Sequence, residues 1–116
     1  MSRKKDFNLA FNRTKTPGGS IIYYCNSLSS SNNQSLCLAT ILSGYHEKDD
    51  VNYLLENITL AQNGMQFEDF HQPDSLTGNF ELIISPPNII ISPNNHLISL
   101  QIWKELLNEW LDFISI

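Results

Sequence analysis

Three histidines, His46, His71 and His96, are the side chains of this chain best suited to proton transfer, and each has an acid or an amide nearby in sequence. All three are expected in loops, where a histidine beside a carboxylate can act as general acid or base. No HxxxH or HExxH pairing accompanies them, and no GxSxG, GxGxxG or Walker loop occurs. Solvated loop histidines are the plainer reading. Glu47, Asp49 and Asp50 cluster as metal ligands do, but an EF-hand loop needs acids at alternating positions, a central glycine and a closing glutamate. The capped start of a helix explains them better. Cys25 and Cys37 lie twelve positions apart in two apolar segments, without the CxxC spacing of zinc or redox sites, and are expected to be ordinary buried thiols. Pro17-Gly18-Gly19 lacks the strand-to-helix context of a phosphate loop. Neither a cofactor nor a metal is expected.

What the residue types do supply is anionic surface. The chain has 12 Asp and Glu against 7 Lys and Arg, a formal net charge of −5. Five of the bases (Arg3, Lys4, Lys5, Arg13, Lys15) and one acid (Asp6) fall in the first fifteen residues, leaving two bases and eleven acids for the rest. Such a body repels phosphate backbones and anionic membranes and attracts a cationic partner. The candidate partner-binding residues are Asp49, Asp50, Glu68, Asp69, Asp74, Glu105, Glu109 and Asp112, with Glu47 and Glu56 in the same acidic population. The competing explanation is scattered solvation of an ordinary surface. The N-terminal bases read as a solvated edge, with lysines discouraging sheet-to-sheet contact.

These residues must be positioned by one domain, since 116 residues with 41% hydrophobic and 16% charged side chains make a single core. Phe7, Leu9 and Phe11 alternate with polar or small residues as a half-buried strand does. Thr16-Pro17-Gly18-Gly19 predicts a type II turn with Gly18 supplying positive φ, and Ile21–Cys25 makes the hairpin partner. Residues 26–35 are a polar loop and residues 1–6 a mobile end. The continuous apolar run Leu36–Leu42 predicts a central strand stopped by Ser43-Gly44. Val51, Leu54, Leu55 and Ile58 have helical spacing, which predicts a short helix near 50–57 capped by Asp49. Extension of the following strand is the alternative for this segment.

Asn63-Gly64, between Ile58–Gln62 and Met65–Glu68, predicts a two-residue hairpin. Phe80, Leu82 and Ile84 face one way from a further strand, and prolines 86, 87 and 93 bracket Ile89–Ile91 as an edge segment. Leu100, Trp103, Leu107, Trp110, Leu111 and Ile114 repeat at helical spacing behind Ser99, a fair N-cap. The expected fold is α+β: one mainly antiparallel sheet of five to six strands with this amphipathic helix on one face. The apolar runs, Leu82–Ile84 and Ile89–Ile91 among them, are far too short for a signal or membrane segment. A cytoplasmic location is therefore expected.

In the acidic stretch Glu68-Asp69-Phe70, the strand Gly78–Ser85 and the ending Ile102–Leu111, the chain resembles the small acidic immunity proteins of bacterial polymorphic-toxin and contact-dependent growth inhibition systems. That resemblance implies a non-enzymatic, cytoplasmic protein that binds the toxin domain of a cognate effector, often a basic nuclease, and blocks its active site. A monomer is expected. Two other classes fit the composition: a type III secretion chaperone, which would be a homodimer holding an effector segment, and a small enzyme using a loop histidine.

Overall fold

The computed structural model describes residues 3–29, 33–73, 80–92 and 96–115. In chain order it runs α1 (Arg3–Asp6), β1 (Leu9–Lys15), β2 (Ile21–Ser27), α2 (Asn33–Gly44), α3 (Lys48–Gln62), β3 (Phe70–His71), β4 (Glu81–Ser85), β5 (Asn88–Ser92), β6 (His96–Ser99) and α4 (Leu100–Ile114). The six strands divide into a β1–β2 hairpin and a meander β3-β4-β5-β6, both antiparallel. This is the expected α+β domain, with α4 packed against the sheet.

The hairpin forms as expected, but β1 begins at Leu9, with Phe7 in the turn before it, and the hairpin turn differs. Gly19 N–H donates to the Thr16 carbonyl at 2.9 Å and Thr16 N–H to the Ser20 carbonyl at 2.8 Å, which leaves a three-residue loop. The left-handed residue is Gly19, at φ 91°, rather than Gly18. A type I turn followed by a left-handed glycine suits the right-handed twist of the strands. The polar segment after it is shorter than expected, because β2 runs to Ser27 and α2 starts at Asn33.

The segment read as a central strand, Leu36–Leu42, is helix α2. An unbroken apolar run has no period to separate the two readings. Cys37, Leu38, Ile41 and Leu42 share the buried face, whereas Leu36 is exposed. The two hydroxyls bond back within the helix, Thr40 Oγ1 to the Leu36 carbonyl at 3.0 Å and Ser43 Oγ to the Ala39 carbonyl at 2.8 Å. Ser43 Oγ also accepts from Cys25 N–H at 2.9 Å, so it ties α2 to the outer edge of β2.

The second helix reading holds and grows. α3 spans Lys48–Gln62 and buries Val51, Leu54, Asn57, Ile58 and Ala61. Its N-cap is Glu47, not Asp49; Asp49 and Asp50 lie in the first turn, where carboxylates favour the positive end of the helix dipole. Asn63-Gly64 is the end of this helix rather than a hairpin. Met65 N–H reaches the Leu60 carbonyl at 2.9 Å and Gly64 N–H the Ala61 carbonyl at 3.2 Å, with Gly64 at φ 69°. That is the Schellman arrangement, which needs one left-handed residue, whereas a type I′ turn needs two. Asn63 has φ −94°.

In the meander, β4 pairs with β5 through the turn at Pro86-Pro87, and β5 pairs with β6. β5 is therefore an interior strand and not an edge. The prolines lie outside Asn88–Ser92, so none removes a ladder donor from it.

α4 joins the two sheets. Ser99 caps it as expected, its Oγ accepting from Ile102 N–H at 3.1 Å. Trp103, Leu106, Leu107 and Trp110 are fully buried, each large apolar side chain contributing roughly 1.5–3 kcal/mol of transfer free energy. Of the residues expected on the apolar face, Leu111 is only half-buried. Trp110 donates its indole N–H to the Tyr45 carbonyl at 2.7 Å, and Phe11 of β1 meets its ring edge-on at 5.0 Å. The Tyr45 phenol is buried, and burial, then the charge of Asp50, raise its pKa.

Candidate partner-binding surface

The face of α3 opposite its buried stripe presents Asp49, Asn52, Tyr53 and Glu56, all exposed. After the Schellman cap the chain turns back along this helix. Glu68 N–H donates to the buried Asn57 Oδ1 at 2.9 Å, and Asn57 Nδ2 donates to the Tyr53 carbonyl at 3.0 Å. This amide bridge brings Glu68 level with Tyr53. The result is a groove of about 290 Å³ with Glu56 and Glu68 on its walls, lined also by Tyr53, Asn57 and Phe67. Hydrogen bonding to the Glu68 carboxylate raises the Tyr53 phenol above its usual pKa, followed by desolvation and by the charges of Glu68 and Glu56. Two carboxylates sharing a groove with an aromatic ring are suited to a guanidinium or ammonium group.

Between Lys48 and Lys104 the sequence contains no Lys or Arg, and seven acids: Asp49, Asp50, Glu56, Glu68, Asp69, Asp74 and Glu81. Among the described residues none of these acids makes an ion pair. Asp49, Asp50, Glu56, Glu68 and Asp69 are exposed. Asp74 lies outside the described residues. Asp69 also extends the sheet, its carbonyl accepting from Ile84 N–H at 2.8 Å.

The acids of α4 are placed differently. Glu105 meets the Arg3 guanidinium at 2.7 Å, and Glu109 accepts from the backbone N–H groups of Arg3 and Lys4 at 2.7 and 3.1 Å. These two carboxylates hold α1 on α4, so the first residues of the chain, expected to be mobile, include a helical turn with tertiary contacts. Lys4 lies 5.1 Å over the Phe11 ring. Asp112 is exposed on α4. The described candidate acids thus separate into a set on α3 and the segment before β3, a pair engaged by the N-terminus, and Asp112 by itself on α4.

Reading across the meander exposes a feature that residue-type reasoning missed. The registers align Phe70, Ile83, Ile90 and Leu97 on one face and His71, Leu82, Ile91 and His96 on the other. The second row is the core side. The first lies on the opposite side, with Phe70 48% and Leu97 61% exposed. Polar residues flank it, Ser85, Asn88 and Ser99 on one side and Glu81 with Ser92 on the other. The signal was in the sequence: a triplet such as Ile89-Ile90-Ile91 in an alternating strand must put an apolar side chain on each face.

His71 and His96 are on strands, not in loops, and only His46 lies in a connection. They end the same row on opposite edges of the sheet, with Leu82 and Ile91 between, about 14 Å apart across three strand spacings. His71 Nε2 lies 2.9 Å from the Glu68 carbonyl, and its ring tilts against Tyr53. His46 and Glu47 line a wider cleft of about 710 Å³ with Lys48 and the exposed Ile21 and Ile22. Ser43 lines it too, but its hydroxyl is committed to the backbone of Cys25 and Ala39. Cys25 and Cys37 are buried, and burial pushes the Cys25 thiol pKa up to about 12. No group of three or more metal-ligating side chains occurs among the described residues, and no described helix is long and apolar enough to cross a membrane.

No protein-family model, curated protein or solved structure matches the chain.

Proposed function

We propose that this protein is an immunity-type inhibitor: in the bacterial cytoplasm it binds the catalytic domain of a basic, nuclease-type toxin and blocks its active site. The observation that carries this reading is the groove lined by Glu56, Glu68 and Tyr53, set in a stretch of 55 residues without Lys or Arg. A nuclease cleft is lined with cations that attract phosphates, and fixed carboxylates present those cations with a similar pattern of charge. Long-range attraction from Asp49, Asp50, Glu56, Glu68 and Asp69 speeds encounter. Tyr53 and Phe70, nearly half exposed, supply the aromatic contact area on which interface affinity usually concentrates. Glu105 and Glu109 contribute least, because the N-terminus already engages them. They serve the fold.

The test is stopped-flow association with a basic nuclease-type domain recovered with this chain by pull-down from the producing cell, measured as a function of salt. Reversing Glu56 and Glu68 together to lysine is expected to slow association by about tenfold or more at low ionic strength and to flatten its salt dependence. If rate and salt dependence both stay at the parent values, the electrostatic reading is wrong.

A further inference from the structure

β6 is the outer strand of the meander, and its free side is legible from one hydrogen bond. Leu100 N–H donates to the Pro87 carbonyl at 3.0 Å, which makes Pro87 and Leu100 a hydrogen-bonded pair. In an antiparallel ladder such pairs alternate with pairs whose N–H and C=O groups point away from each other. Counting along the register, Ile89 and Ile98 are bonded, whereas Asn88 with Ser99 and Ile90 with Leu97 are not. Ile84 N–H reaching the Asp69 carbonyl on the far side of the sheet fits the same alternation. The N–H and C=O of Leu97 therefore point outward from the edge. Its side chain is 61% exposed beside them and ends the apolar row.

Exposed edges are ordinarily blunted by lysine, other charges, proline or a bulge. His96-Leu97-Ile98-Ser99 has no Lys, Arg, Asp, Glu or Pro, and neither has Asn88–Ser92 behind it. We propose that this edge pairs with the same edge of a second copy of the chain, joining two meanders into one antiparallel sheet. Charge selects the occupant. Two copies meet at β6 without like-charge repulsion, and a cationic partner finds no carboxylate on these two strands. The opposite edge, β3, is preceded by Glu68 and Asp69, which oppose self-pairing and favour a cation. A two-fold axis beside Leu97 lets each Leu97 N–H donate to the other's carbonyl, as an isologous contact requires. Directly opposed residues share a sheet face, so the two Leu97 side chains meet and the row Phe70-Ile83-Ile90-Leu97 continues into its mate. This contact is at the β6 edge and does not depend on the inhibitor reading, which uses α3, the segment before β3 and Phe70 at the opposite edge.

Sedimentation equilibrium of the full chain, from low micromolar to near-millimolar concentration, tests it. The mass is expected to rise from 13.2 kDa toward twice that value, and exchange of the Leu97 amide to slow as it does. Leu97→Lys, at an exposed position, is expected to keep the parent circular dichroism and remain monomeric throughout. Phe70→Lys, in the same row at the other edge, is expected to self-associate like the parent. A mass fixed at the monomer value, association that survives Leu97→Lys, or equal loss in Phe70→Lys would each overturn the proposal.

Discussion

The Arg3 guanidinium stands 2.7 Å from the Glu105 carboxylate and joins the first helical turn of the chain to the middle of its last helix. Arg3 also reaches Asp6 at 3.1 Å, and Gln101 donates to Glu105 at 2.8 Å, so the pair is the centre of a small network on α4. Arg13 and Lys15 are ordered in β1. The network fixes Arg3, and the Glu109 carboxylate accepts from the Lys4 N–H beside it.

Hydrogen bonding from Gln101, then from Arg3, lowers the Glu105 pKa, and the Glu105 carboxylate raises that of Arg3. A depressed carboxyl contributes stability that is complete above its unfolded pKa and lost as pH falls through the lower folded value. Parent and Glu105→Gln proteins should therefore differ in thermal midpoint at neutral pH and converge in acid. The pair is partly exposed, so the difference is small and shrinks with salt. A gap of equal size at neutral and acid pH would show that charge is not its source.

The two buried tryptophans should respond differently to the same substitution. Trp110→Phe leaves the Tyr45 carbonyl without its indole donor, at a cost of about 1–3 kcal/mol beyond lost packing. Trp103 has a buried Nε1 with no hydrogen-bond partner among the described residues, so Trp103→Phe removes an unpaired donor and loses packing only. Urea denaturation of both variants compares them. Equal losses would rule out the hydrogen bond as the difference.

Gly64→Ala should destabilise the fold by about 1 kcal/mol, because an alanine Cβ is strained at φ 69° although nothing lies within 4 Å of it. Gly18→Ala, at ordinary φ and 3.9 Å from the Thr16 hydroxyl, should be close to neutral. Thermal unfolding of the two variants separates backbone strain from crowding.

Tyr53 reports on the groove. Glu68→Gln should lower the pH at which Tyr53 ionises, since it removes the largest influence holding that phenol up. Ultraviolet titration of the phenolate, with Tyr53→Phe to assign the signal, reads the shift. An unmoved Tyr53 would mean that Glu68 does not face it.

Local chemistry alone determined the elements whose pattern has a period. The strand begun by Leu9 and Phe11, the 3.6-residue spacing of Trp103, Leu107, Trp110 and Ile114, and the Ser99 cap all appear where residue order placed them, although Phe7 lies in the turn before the strand. Leu36–Leu42 carries no period, and only the packed core made it a helix, because both of its faces are apolar and either geometry would bury them. Asn63-Gly64 is a strong local signal with two solutions. The helix before it chose the one that needs a single left-handed residue.

For the surface, the sequence established the sign of the charge and the absence of bases between Lys48 and Lys104. It could not establish which acids remain unpaired, because ion pairing depends on separation in space. Glu105 and Asp6 are 99 positions apart, yet both meet Arg3, whereas Glu68 and Glu56 share a groove only because Asn57 holds the returning chain against α3. The triplet Ile89-Ile90-Ile91 requires an apolar residue on each face, but the row from Phe70 to Leu97 exists only through register, which aligns one residue from each of four strands.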